Sequence, residues 1–256
     1  MANWVIRGLA TGVVTTRYPF NTEHVPGSLS IAPVMAGKRC LPDCNECIKV
    51  CYTGAIKKSL LSTGAFEIDY ARCVFCLRCI EVCPGKVICA EKKIELAITR
   101  NSWAGNSVKT VKENKVGRYF RRSLHIRHVD AGACEACLSE INALSNPYYD
   151  LHRLGFFFVN SPRHADALLV SGSVTENMKE ALVKTYQAMP GPKLVIATGA
   201  CAAGGWLAGQ NYACSRKLDS ILQVNISIPG CPPSPLTLLH GLLLAVGREP
   251  KINLQG

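Results

Sequence analysis

The feature that most constrains this chain is the run Cys73-x2-Cys76-x2-Cys79-x3-Cys83 followed by Pro84. Three thiolates so closely spaced can wrap one cubane of iron and sulfide. The fourth, a short turn further on, points to a second cubane, as in two-cluster bacterial ferredoxins. A chain built around such a run is expected to carry electrons.

The run does not stand alone. The stretch KRCLPDCNECIKVCYTGAI is followed by ARCVFCLRCIEVCPGKVI, so that residues 38–98 contain two similar halves. A turn is expected near Ser62-Thr63-Gly64, with the first three cysteines of each half on a loop and the fourth at the start of a short helix. The first copy departs from the pattern: three residues separate Cys40 from Cys44, and Tyr52 stands where proline is usual. The crossed arrangement expected of such a repeat pairs Cys40, Cys44 and Cys47 with Cys83, and Cys73, Cys76 and Cys79 with Cys51.

Charge and composition narrow the setting. Residues 1–130 hold 20 Lys and Arg against 10 Asp and Glu, while residues 131–256 hold 9 against 8. Nucleic-acid binding is one reading of the basic half. The simpler one is that each oxidised cubane adds about two negative charges, which basic neighbours offset; no nucleic-acid partner is expected. The basic run from Lys109 to Arg127 lies outside the cysteine groups and is read as facing a partner or acidic lipid head groups. No stretch approaches the roughly 20 apolar residues of a membrane span. The start, MANWVIRGLATGVV, lacks the positive leading region and cleavage site of a secretory signal. Fourteen cysteines in such a chain indicate metal chemistry rather than disulfides, on the cytoplasmic side.

Residues 1–17 read as a short helix with Trp4, Val5, Leu9 and Val13 near one stripe, fit for a membrane surface, a neighbouring subunit's groove or ordinary packing. Residues 18–37 are punctuated by proline and glycine and should be extended. Residues 99–121 are polar and aperiodic and read as a linker. From Ser123 strands and helices alternate. SLHIRHVD, GFFFVN, ADALLVSG, KLVIATGA and VNISIPG are strands; LSEINALSN, ENMKEALVKTYQAM and PLTLLHGLLLAVGR are helices. That alternation predicts a parallel sheet covered on both faces.

Ligands of an open parallel sheet gather beyond the carboxyl ends of its strands. Cys134 and Cys137 follow the first strand, Cys201 the fourth and Cys231 the last, so four thiolates from three loops should form a third cubane site. Gly132, Gly199 and Gly230 would let the backbone approach it.

The motifs VDAGACEACLSEI, SPRHADALLVSGSVT, KLVIATGAC and IPGCPPSPLTLLHGLLLAVG resemble the small subunit of energy-converting, group 4 membrane-bound [NiFe]-hydrogenases, and the related cluster-bearing subunit of respiratory complex I. WVIRGLATGVVTTRYPF and CVFCLRCIEVCPGKVI resemble the two-cluster ferredoxin protein of formate hydrogenlyase. The resemblance implies a fusion of two electron-transfer subunits: a 2×[4Fe–4S] ferredoxin-like module and a flavodoxin-like parallel α/β domain. The divisions are an N-terminal helix and arm (1–37), a ferredoxin domain (38–98), a linker (99–121) and a small-subunit-like domain (122–256).

The family's proximal-cluster ligands fall on Cys134, Cys137, Cys201 and Cys231, and the C-x2-C pair leans toward the hydrogenase side. Glu140 matches an acidic position near a proposed proton route, or simply favours the start of a helix. Arg163 and His164 match positions that approach the cluster, although Arg163 equally suits pairing with Asp166. Cys89 reads as a buried thiol, and Cys214 falls in an insertion-like segment. Structural zinc is the rival for the cysteine groups, but zinc sites use two separated pairs rather than runs of four. TGACAAGG lacks the spacing of a dinucleotide fingerprint.

The implied role is a wire of three [4Fe–4S] clusters in a membrane-associated hydrogenase complex. Its expected partners are a NiFe-type large catalytic subunit, antiporter-like and quinone-site-like membrane subunits, and a ferredoxin or other Fe–S donor. The alternatives are the equivalent subunit of a nickel-free, complex I-like quinone or sulfur reductase, and a stand-alone ferredoxin-like carrier.

Overall fold

The computed structural model describes residues 3–20, 31–36, 40–41, 44–58, 66–92, 94–99, 116–205, 211–214 and 217–248. The turn expected near Ser62-Thr63-Gly64 and most of the expected linker lie outside them.

The C-terminal half is built on strands whose side chains are buried on both faces. Along β8 (Ala167–Ser171) successive residues alternate between two cores. Ala167 and Leu169 join one, Leu168 and Val170 the other. This two-residue period is what a strand covered above and below requires. With β6 (Leu124–Asp130), β7 (Phe156–Phe158), β9 (Leu194–Thr198) and β10 (Ile226–Ile228), it forms five parallel strands in the order β7-β6-β8-β9-β10. Counted within the domain, this is the 2-1-3-4-5 order of doubly wound, flavodoxin-like sheets.

The helix α7 (Pro235–Ala245) is buried along its whole length, as its all-round apolar sequence demands. It starts cleanly because the Ser234 side chain accepts from the Thr237 N–H and proline follows at the first helical position. α7 shares the first core with Ile141 of α4 (Ala136–Ala143). Leu182 of α5 (Glu176–Ala188) and Ala202 and Ala203 of α6 (Gly199–Gly204) lie in the second.

Two features depart from a purely parallel domain with a free linker. β5 (Ile98–Thr99) adds to β10 antiparallel, making the sheet mixed and placing the expected boundary between residues 98 and 99 inside a strand. Residues 117–120, expected in the linker, form a 3-10 turn whose Gly117 lies hard against the Ala245 backbone, and Val116 and Phe120 pack on the first core. Their apolar side chains bury area there that a solvated linker would leave exposed.

The N-terminal arm also reaches this domain. Tyr18 is buried in the first core, the Thr16 N–H donates to the Tyr148 carbonyl (2.8 Å), and the Arg153 guanidinium donates to the Tyr18 carbonyl (2.6 Å). The preceding helix α1 (Asn3–Thr11) buries none of its residues, and Trp4 is 80% exposed, so it is not an ordinarily packed terminal helix.

The ferredoxin half holds two antiparallel pairs. β2 (Ile56–Lys58) pairs with β3 (Phe66–Ile68), and β1 (Ile31–Met35) with β4 (Ile88–Lys92). Two short helices, α2 (Glu46–Val50) and α3 (Arg78–Glu81), lie beside each other. Its small core contains Ile56, Phe66, Ile68 and Ile88, together with Cys47 and Cys79.

Candidate iron–sulfur sites

The twelve cysteines singled out by spacing fall into three groups of four. Cys40, Cys44, Cys47 and Cys83 line one cavity, closed by Phe66, Val87 and Ile88. Cys51, Cys73, Cys76 and Cys79 line a second, with Ile56, Ile68 and Tyr52. Each cavity therefore takes three thiols from one half of the repeat and one from the other.

The helices come one cysteine earlier than their expected position. Cys47 and Cys79 lie inside α2 and α3, while Cys51 and Cys83 follow the helical ends. The crossing requires it. Residues four apart share a helical face, so an unbroken helix would hold Cys47 and Cys51 to the same side. Ending α2 at Val50 frees Cys51 to turn toward the other cavity, and α3 ends before Cys83 in the same way.

Past each helix the chain folds back on the fourth sulfur. The Ala55 N–H donates to Cys51 Sγ (3.3 Å) and the Val87 N–H to Cys83 Sγ (3.2 Å), the same offset in both halves. The Phe75 N–H adds a bond to Cys73 Sγ (3.4 Å). Such donors offset negative charge on coordinated sulfur.

The third group forms at the carboxyl edge of the sheet. After β6 the Asp130 carboxylate accepts from the N–H groups of Gly132 (2.8 Å) and Ala133 (2.7 Å), turning the chain toward Cys134 and Cys137. After β9, α6 carries Cys201, and its Ala200 N–H donates to the Gly230 carbonyl (2.8 Å), tying it to the loop of Cys231. Gly199 has φ +84°, and a Cβ there would lie 2.7 Å from Cys137 Sγ. Cys134 and Cys231 are exposed; Cys137 and Cys201 are half-buried.

The electrostatics fit an inorganic core with positive metal. Burial pushes Cys73 up to about 12, Cys47 and Cys79 to about 11, Cys137 to about 12 and Cys201 to about 11. In each case neighbouring thiols of the same group push the same way. Four such thiols do not ionise together in a half-buried pocket unless something cationic is shared among them.

Other residues singled out in the sequence fall in varied places. Glu140 is on α4, one turn beyond Cys137, and burial raises its carboxyl. Arg163 and His164 are exposed in a 3-10 turn just before β8. They therefore lie at the amino edge of the parallel sheet, opposite the thiols, and the expectation that they approach the cluster fails. A residue immediately preceding a parallel strand cannot reach the edge where that strand ends. Asp166 instead bonds His125, whose Nδ1 is 3.2 Å from its carboxylate. Cys89 is half-buried on β4, against the Val34 carbonyl, and Cys214 lies near the Ser173 hydroxyl. Spacing gave no hint of Tyr52 as a pocket residue. The Gly204-Gly205 pair was visible, but only as a failed nucleotide motif.

Residues 134–245 match the family of the NADH ubiquinone oxidoreductase 20 Kd subunit, and residues 39–87 match the 4Fe-4S dicluster domain. A probable membrane-bound hydrogenase subunit, mbhJ, of Pyrococcus furiosus is 42% identical over 135 residues, covering 53% of this chain and 81% of that protein. Formate hydrogenlyase subunit 7 of Escherichia coli is 40% identical over 138 residues, covering 54% of each chain. A chain of an archaeal membrane-bound sulfane sulfur reductase is similar over 51% of this chain and 75% of its own, with 30% identity and a TM-score of 0.44.

Proposed function

This chain belongs to the NADH ubiquinone oxidoreductase 20 Kd subunit family and carries a 4Fe-4S dicluster domain, and on that premise we propose that it is the electron-transfer subunit of a membrane-associated, energy-converting [NiFe]-hydrogenase complex. The observation that carries the reading is the sorting of twelve cysteines into three four-thiol groups within one chain.

The proposed ligands are Cys40, Cys44, Cys47 and Cys83 for the first [4Fe–4S] cluster and Cys51, Cys73, Cys76 and Cys79 for the second. Cys134, Cys137, Cys201 and Cys231 would hold the third. When bound, each cluster supplies a centre that takes up and releases one electron. The chain's residues hold these centres in order and partly exclude water. Cys79 of the second group shares a small core with Cys47 of the first, while Ala71 and Arg72, just before Cys73, lie against Gly204 of α6, three residues past Cys201 of the third. The second group therefore stands between the other two.

The third group is open at Cys134 and Cys231, which suits a covering subunit. That partner is proposed to be the large subunit holding a nickel–iron centre. The ferredoxin half would face an external donor, and membrane subunits would anchor the complex at the cytoplasmic face. No helix among the described residues is long and apolar enough to cross a membrane, so attachment would be through partners.

Nickel content of the complex, purified with its native partners under argon, tests the reading. Nickel in equal amount to this chain is expected. Iron without nickel would overturn it in favour of a nickel-free quinone- or sulfur-linked complex.

A further inference from the structure

The ferredoxin half and the sheet meet at a tight backbone contact. α6, which carries Cys201, ends at Gly204. A Cβ on Gly204 would lie 2.6 Å from the Ala71 carbonyl oxygen and 2.9 Å from Arg72 Cα. Ala71 and Arg72 immediately precede Cys73. The seam is also apolar, since Ala71 is buried in one cluster with Ala202 and Ala203 of α6. On both sides, then, the contact lies within three residues of a thiol.

The same helix is tied to the other end of the third group, since the Ala200 N–H of α6 donates to the Gly230 carbonyl (2.8 Å), next to Cys231.

We infer that the bare backbone of Gly204, seated on Ala71 and Arg72, sets the separation of the second and third thiol groups and makes Gly204 a positioning residue for electron transfer between the two halves. This rests on the three-cluster reading. Gly204 is the last helical residue of α6, where alanine is ordinarily the better helix former. What opposes a side chain here is the neighbouring backbone, which cannot rotate away as a flexible side chain would. Arg72 also contributes its Cγ at 2.8 Å, but removing that atom would leave the two backbone contacts in place. A methyl group on Gly204 must therefore push the Cys73 loop away from α6.

The test is Gly204→Ala in the whole complex, with Gly8→Ala as the control, because a Cβ on Gly8 meets nothing within 4 Å. Iron content and the paramagnetic resonance signal of each reduced cluster are measured first. The magnetic interaction between the second and third clusters is then recorded, with the rate at which the third is reduced from the ferredoxin half. Gly204→Ala should keep its iron and its individual signals, while the interaction weakens and the rate falls severalfold; Gly8→Ala should change neither. Full iron with unchanged interaction and rate would overturn the inference and leave the wire reading standing. Absence of iron from the unsubstituted complex would overturn both. Should Gly204→Ala lose iron, the unsubstituted complex decides. A stronger interaction of the third cluster with the second than with the first supports the inference, and the reverse order overturns it.

Discussion

Cys83 lines the same cavity as Cys47, from the opposite half of the internal repeat. The contact crosses between halves because α3 ends before Cys83 and the chain then turns back, with the Val87 N–H on the Cys83 sulfur. Cys83→Ser should therefore disturb the cluster of the first half and leave that of Cys73, Cys76 and Cys79 intact. Resonance spectra of the reduced variant check this, and a change confined to the second cluster would reverse the assignment.

Gly199 tests the third group. Its φ of +84° disfavours any side chain, and its Cα faces Cys137 Sγ too closely for a Cβ. Gly199→Ala should cost about 1–3 kcal/mol of strain and lower the iron bound at the sheet edge. Thermal unfolding and the third cluster's signal should change together, with the two ferredoxin-half signals unaffected.

Iron removal should act unequally on the two halves. The ferredoxin core holds only a few side chains, among them Cys47 and Cys79, so its folding should depend on the metal. The α/β domain has two larger apolar cores on either side of its sheet. After chelation under argon, hydrogen exchange should show protection lost around α2, α3 and β2 but kept in β8, β9 and α7. Equal loss in both halves would contradict this.

Glu140 gives a pH signature. Burial raises its carboxyl, so the folded protein holds a proton in the window just above the unfolded carboxylate value. Stability must fall as pH rises through that window. Glu140→Gln removes the titrating group, and the variant should lose less thermal stability between mildly acid and neutral pH. Superimposable profiles would show that the carboxyl contributes nothing.

Much of this architecture was legible in the sequence, and the failures share a physical cause. Cysteine spacing revealed the ferredoxin repeat because ligand geometry is local. The order of strands and helices after Ser123 followed from runs such as KLVIATGA, whose strand Leu194–Thr198 is buried throughout. What escaped depended on distant partners. β5 is two residues long and exists because β10 offers an edge. Tyr18 is buried by residues far along the chain. The motif that carries Arg163 and His164 speaks only of proximity in sequence, whereas the direction of β8 decides which edge they occupy. The early α2 and α3 follow from the need to send Cys51 and Cys83 across the repeat, a demand invisible within either half.

The proposed electron wire requires three [4Fe–4S] clusters on this one chain. Iron and acid-labile sulfide per chain, measured on anaerobically prepared protein, should come to about twelve of each, four per cluster. About eight, with zinc or nothing at the sheet edge, would contradict it.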